Sequence, residues 1–153
     1  MITFYQFLEN IDQPKIRIKL DNPSQPSTSP SKKFIEDIIN ETNAKLNEFD
    51  PNSFFFIDND NTLVIFNLTT GFAAPNSVSI VELRTEPQKT GAGSRFMQKL
   101  CDKADSSNIT LELSATPLKV KNKIPKTKLK EFYKKFKFKP ATGIDEMVRI
   151  PQN

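Results

Sequence analysis

The sequence predicts an α/β layered fold, helices packed on a central sheet, and three observations lead there. Residues 53–57 and 62–68 read as strands, and Asp58-Asn59-Asp60-Asn61 between them reads as a hairpin turn. The strand-like Val78-Ser79-Ile80-Val81-Glu82-Leu83 is followed by a glycine-containing turn and then by the helical run of residues 95–101. Strand, helix and strand then recur over residues 109–115, 127–136 and 146–151. A chain of 153 residues, 26% charged and 37% hydrophobic, suits a single domain, residues 1–153, with its own core.

Each element has a local reason. Residues 3–9 read as a short helix, and Lys15-Ile16-Arg17-Ile18-Lys19-Leu20 alternates as a strand. Residues 22–31, with Pro23, Pro26 and Pro30 among serines, read as an exposed loop. Phe34, Ile35, Ile38, Ile39 and Leu46 recur at helical spacing, and Asp50-Pro51 is the expected stop. In the strand of residues 78–83, Val78 and Ile80 share one face, whereas Val81 and Leu83 share the other. That slip fits either a β-bulge between Ile80 and Val81 or a central strand buried on both faces. Residues 109–115 alternate with period two. Over residues 127–136, Leu129, Phe132, Tyr133 and Phe136 fall on one helical face.

Composition narrows the function classes. No apolar run approaches the roughly 20 residues needed to span a bilayer, and no secretory signal opens the chain. Cys101 is the only cysteine, which excludes an intramolecular disulfide, and its place beside Leu100 suits a small core residue. The chain has no histidine, so histidine-based metal sites and histidine-dependent triads are excluded, and no metal is expected. The expectation is a soluble intracellular protein of the cytoplasm.

Gln88-Lys89-Thr90-Gly91-Ala92-Gly93-Ser94 carries the chemistry. Two glycines one residue apart let a ligand approach the backbone. The N-terminus of the following helix has unpaired N–H groups and a positive dipole end. Strand, glycine turn and helix start together predict an anion site of phosphate type. No lysine follows Gly93, so the turn is not a P-loop; Phe96 stands where a dinucleotide fingerprint needs its third glycine.

The turn, read as Gln-x-x-Gly-x-Gly, resembles the pyrophosphate-binding signature of the GNAT superfamily of acetyl-coenzyme A-dependent N-acetyltransferases. Phe132-Tyr133-Lys134-Lys135-Phe136-Lys137-Phe138 and Glu146-Met147-Val148-Arg149-Ile150-Pro151 are similar to the family's last helix and its closing strand. The resemblance covers roughly residues 77–151. It implies a mixed, mostly antiparallel sheet flanked by helices and splayed at a bulge in the strand of residues 78–83. It implies acetyl-coenzyme A as cosubstrate, held by Val81, Glu82, Leu83, Gln88, Lys89, Thr90, Gly91, Ala92, Gly93, Ser94 and Tyr133. Acetyl transfer to a primary amine, small molecule or protein, would then proceed by direct attack.

In the family's terms Tyr133 is the general acid near the sulfur, or else a ring filling the apolar face. Leu83 would offer a backbone N–H to the oxyanion. Relatives that acetylate proteins often carry a glutamate where Ser77 stands here. Glu82 is the nearest carboxylate, and it reads either as the general base or as a surface side chain. Lys137 replaces a glycine at a position of left-handed backbone, and Lys126 replaces a coenzyme-contacting asparagine. The acceptor groove would lie between the N-terminal helices and residues 115–126.

Ten lysines, from Lys119 to Lys139, make the last third basic, with Glu131 alone offsetting them in that window. A solvated face and recruitment of the anionic coenzyme both fit. The aromatic residues among them keep core spacing, which disfavours a nucleic-acid surface. Two other classes stay open: a catalytically idle coenzyme-binding or interaction protein on the same fold, and a basic nucleic-acid-binding module.

Overall fold

A computed structural model describes residues 29–117 and 124–152. The first described helix, α1 (Pro30–Thr42), starts on Ser29, whose hydroxyl accepts the Lys32 N–H at 3.2 Å, with proline in the first turn where its missing N–H costs nothing. Pro30 and Ser31 are therefore helical, and Ser31 is buried, unlike the exposed loop expected to run through them. The expected loop over residues 22–28, the helix over 3–9 and the strand over 15–20 lie outside the described residues.

The helix also stops earlier than its spacing predicts. Asn43 takes the left-handed conformation, φ 52°, and the Thr42 hydroxyl bonds back to the Ile38 carbonyl. Leu46 belongs instead to β1 (Lys45–Asn47), opposite Phe54 of β2 (Asp50–Ile57). Asp50-Pro51 opens that strand and ends no helix. The apolar periodicity runs past the helix because Leu46 is taken by a strand, where it pairs with Phe54, a residue packed against the main core.

β2 turns through residues 58–62 into β3 (Leu63–Thr70), as the hairpin reading expects. Phe54, Phe56, Val64, Phe66 and Leu68 face the main core, while Phe55, Leu63 and Ile65 form a second cluster on the other side of the sheet. After β4 (Ser77–Glu86), α2 (Ala92–Ser107) packs Phe96, Met97, Leu100, Cys101 and Ala104 onto the main core. The Phe96 ring lies 4.8 Å from that of Phe66. β5 (Thr110–Ser114), α3 (Lys126–Lys134), β6 (Lys139–Pro140) and β7 (Glu146–Arg149) follow.

Among the described residues the sheet has seven strands, in the order β1-β2-β3-β4-β5-β7-β6. Of these strands only β4 and β5 run parallel; every other neighbouring pair is antiparallel. The parallel pair is joined through α2, as parallel strands require. This is the mixed, mostly antiparallel sheet flanked by helices that the sequence predicts. No helix among the described residues is long and apolar enough to cross a membrane.

Candidate functional site

The site begins with a break in register. β3 and β4 pair from Thr70↔Val78 to Leu68↔Ile80, and again from Asn67↔Glu82 to Leu63↔Glu86. Val81 is left over as the extra residue of a β-bulge. The slip brings Leu83 back to the core face that Val78 and Ile80 occupy and turns Glu82 and Arg84 to the opposite face. Val81 is 55% exposed, which rules out a strand buried on both faces.

The bulge also ends the pairing with β5, which runs only from Ser77↔Thr110 to Ile80↔Leu113. Beyond it the two parallel strands separate, and a cavity of about 350 Å³ opens between them. One wall is β4 from Ile80 to Thr85; the opposite wall carries Ser114, Thr116 and Pro117, together with Leu129, Phe132 and Tyr133 of α3. Gln88, Lys89, Gly91, Gly93 and Ser94 close one end.

Nine of the eleven residues singled out from sequence thus line one cavity: Val81, Glu82, Leu83, Gln88, Lys89, Gly91, Gly93, Ser94 and Tyr133. Thr90 and Ala92 do not. The Thr90 hydroxyl meets that of Thr62 at 3.0 Å, and Ala92 is buried in the core. Arg84 and Thr85 were missed, although two further residues of strand beyond Leu83 were a signal that the wall continues.

Gly91 is the N-cap of α2 at φ +86°, a conformation that costs a residue with a Cβ. It has no side chain to cap the helix, and the first intrahelical bond runs from the Arg95 N–H to the Gly91 carbonyl, so the N–H groups of Ala92, Gly93 and Ser94 have no partner within the helix. A Cβ on Gly93 would meet only Thr85 Cγ2, at 3.6 Å. The β2–β3 turn holds this loop from outside, since Arg95 bonds both Asp58 and Asp60. Burial pushes the Asp58 carboxyl up, but the Arg95 hydrogen bond and the Asn59 N–H outweigh it and hold it below the usual carboxylate range. Arg95 is thereby committed to the aspartates, while Lys89 makes no ion pair among the described residues.

Tyr133 is 8% exposed, with its ring edge-on to Phe132 and Phe138. Burial pushes its phenol up to about 12, so it keeps its proton at any physiological pH. Among the described residues none hydrogen-bonds the hydroxyl. Glu82 has a side chain 19% exposed, and its Oε1 lies 3.6 Å from Arg84 Nε. It stands in the cavity wall. Ser77 is buried on the closed side of the bulge, donating to the Ala74 carbonyl at 2.8 Å.

The basic helix is partly neutralised from beyond its own window. Asp145 receives Lys126 at 2.7 Å and Lys130 at 2.8 Å, and these contacts hold its carboxyl below the usual range. Lys137 does adopt left-handed backbone, φ 68°, closing α3 through the Phe138 N–H to the Tyr133 carbonyl. α3 itself ends two residues before the predicted limit, because Phe136 and Lys137 bond to carbonyls three residues back. Arg149, read from sequence only as part of a closing motif, is buried and bidentate to Asp105 at 2.7 and 2.9 Å, and it donates to the Phe136 carbonyl. Cys101 lies in the core, its thiol pushed up to about 11 by burial, which leaves it inert as a nucleophile.

No protein-family model matches the chain, and no curated protein matches it in sequence. Among solved structures, the crystal structure of anti-CRISPR protein AcrVA5 aligns with 63% of this chain and 97% of its own length, at 20% identity and a TM-score of 0.47.

Proposed function

We propose that the protein is an acetyl-coenzyme A-dependent N-acetyltransferase acting on a primary amine, with residues 1–153 as one such domain. The observation that carries this reading is the Val81 bulge. It parts β4 from β5 and opens a cavity that leads to the bare N-terminus of α2. The residues present fit the cosubstrate. N–H groups without a partner in the helix and a positive helix end suit a pyrophosphate, and Gly91 and Gly93 leave no Cβ between it and the backbone. The narrow gap between two strands suits an extended pantetheine arm, held by main-chain groups of Val81 to Leu83.

Acetyl-coenzyme A, when bound, supplies an acetyl group whose carbon–sulfur bond breaks as the amine forms its nitrogen–carbon bond. Glu82, inside the cavity, is the carboxylate available to take the proton the amine gives up. The Leu83 N–H is the candidate donor to the developing oxyanion. Tyr133 keeps its proton on Oη and offers a hydrogen bond into the cavity. Full proton transfer from a phenol at about 12 to a thiolate of ordinary pKa, about 8.5, is uphill by about 5 kcal/mol. The hydroxyl therefore acts as a hydrogen-bond donor to the departing sulfur more than as a complete acid.

The test is thermal melting with acetyl-coenzyme A at millimolar concentration, followed by thiol release with a panel of amines. Melting shift and turnover together support the reading. A shift without turnover leaves the idle coenzyme-binding protein, and no shift removes the coenzyme site altogether. Neutralisation of Lys126 and Lys130 by Asp145 weighs against the basic nucleic-acid module.

A further inference from the structure

The cavity has two unlike ends. Leu83 packs against the main core and Thr85 touches the position a Gly93 Cβ would take, so both face α2. Glu82 and Arg84 alternate with them and face the other side of the sheet, beside Asn67 and Ile65 of β3. Because β5 has separated by this point, both sets line the same opening. The α2 end carries the phosphate-type features; the Glu82–Arg84 end carries one fixed charge of each sign.

These polar groups are under-satisfied. Arg84 Nε and Asn67 Oδ1 are buried and have no hydrogen-bond partner among the described residues. Among the described residues the ion pair of Arg84 is with Glu82, and 3.6 Å is too long for a hydrogen bond. A buried donor without an acceptor costs free energy, so each one in a native structure calls for an explanation, a bound ligand or an ordered water among them. Arg84 can accept a carboxylate on its planar fork, and Glu82 can accept an ammonium group. Their charged groups lie within one contact distance, so a ligand matching both must carry its two charges a few bonds apart.

We propose that Arg84 and Glu82 form an acceptor subsite for a small amine bearing a carboxylate close to it, an amino-acid-like zwitterion. Arg84 is the specificity-determining residue, binding the carboxylate and leaving the amine beside Glu82. This rests on the transferase reading for the fate of the amine, but the recognition itself does not require the coenzyme.

The probes are the free amino acids and their α-carboxamides, which share each amine and differ in the carboxylate. Two readouts are needed: melting of the coenzyme-free protein with each probe, and kcat/KM for acetyl transfer. At least one free amino acid is expected to raise the melting temperature and to exceed its amide in kcat/KM by about tenfold or more, the scale of a charge-assisted hydrogen bond. Arg84→Gln should abolish the preference, and Arg84→Lys, which keeps the charge but loses the fork, should restore part of it. Equal response to acids and amides, or a preference that survives in Arg84→Gln, overturns the proposal. If Arg84→Gln does not fold, the Arg84→Lys ratio and the wild-type acid–amide comparison decide alone. Carboxylate-dependent binding without acetyl transfer would sink the transferase reading and support the subsite; transfer to amines without carboxylate discrimination would do the reverse.

Discussion

Gly93→Ala separates the fold from the site more cleanly than any other single change. Gly93 sits in the first turn of α2 with no positive φ, and an added Cβ would stand 3.6 Å from Thr85 Cγ2, an ordinary contact. The methyl therefore strains nothing, and alanine is the better helix former by at most about 1 kcal/mol. The unliganded variant should melt at or slightly above the wild type, by up to about 4 °C for a chain of this size. The same methyl lies on the cavity wall, between the strand and the N–H groups proposed to meet the pyrophosphate. If the proposed site holds, acetyl-coenzyme A at a hundredfold excess over its Kd should stabilise the wild type by about 2.7 kcal/mol. A tenfold loss of affinity cuts that to about 1.4 kcal/mol at the same concentration. Melting curves with and without the coenzyme, backed by titration calorimetry, read both effects, which have opposite signs. A variant that binds the coenzyme as tightly as wild type would refute the close backbone approach. One that melts far below wild type without ligand would refute the packing argument.

Tyr133→Phe keeps the ring against Phe132 and Phe138 and removes a hydroxyl that no described residue bonds, so the melting temperature should hold. Turnover at saturating coenzyme should fall by about 10- to 100-fold, the worth of one hydrogen bond to a charged group, and full activity would return Tyr133 to a packing role. Asp105→Asn strands the buried Arg149 charge and should cost about 3–5 kcal/mol at neutral pH by denaturant unfolding. The Arg149 hydrogen bond holds the Asp105 carboxyl below its ordinary value, so its stabilisation is complete above the unfolded pKa, about 3.9, and disappears as pH falls through the lower folded one. The gap between variant and wild type should accordingly close below about pH 4, and a gap unchanged into strong acid would contradict this. Lys137→Gly relieves left-handed backbone at φ 68° and should raise stability by about 1 kcal/mol; a loss would mean the lysine makes a compensating contact.

Much of this molecule is legible in short stretches, because turns, caps and periodicity depend on neighbouring residues. The hairpin of residues 53–57 and 62–68, the strand–turn–helix around Gly91 and the apolar side of α2 all belong to that class. So does the phase slip after Ile80, though sequence alone left two explanations for it. The register against β3 chose the bulge, and with it the face on which Glu82 and Arg84 stand. The limit of α1 was misjudged for a related reason: Leu46 keeps the helical spacing but is claimed by pairing with Phe54. Contacts between distant residues were beyond any local pattern. Asp105 and Arg149 meet across 44 positions, and Asp145 draws in Lys126 and Lys130 from another element. Spacing along the chain determines which residues share a face. Which charges meet, and whether two parallel strands stay together or part around a cavity, is decided only when separate elements compete for the same neighbours.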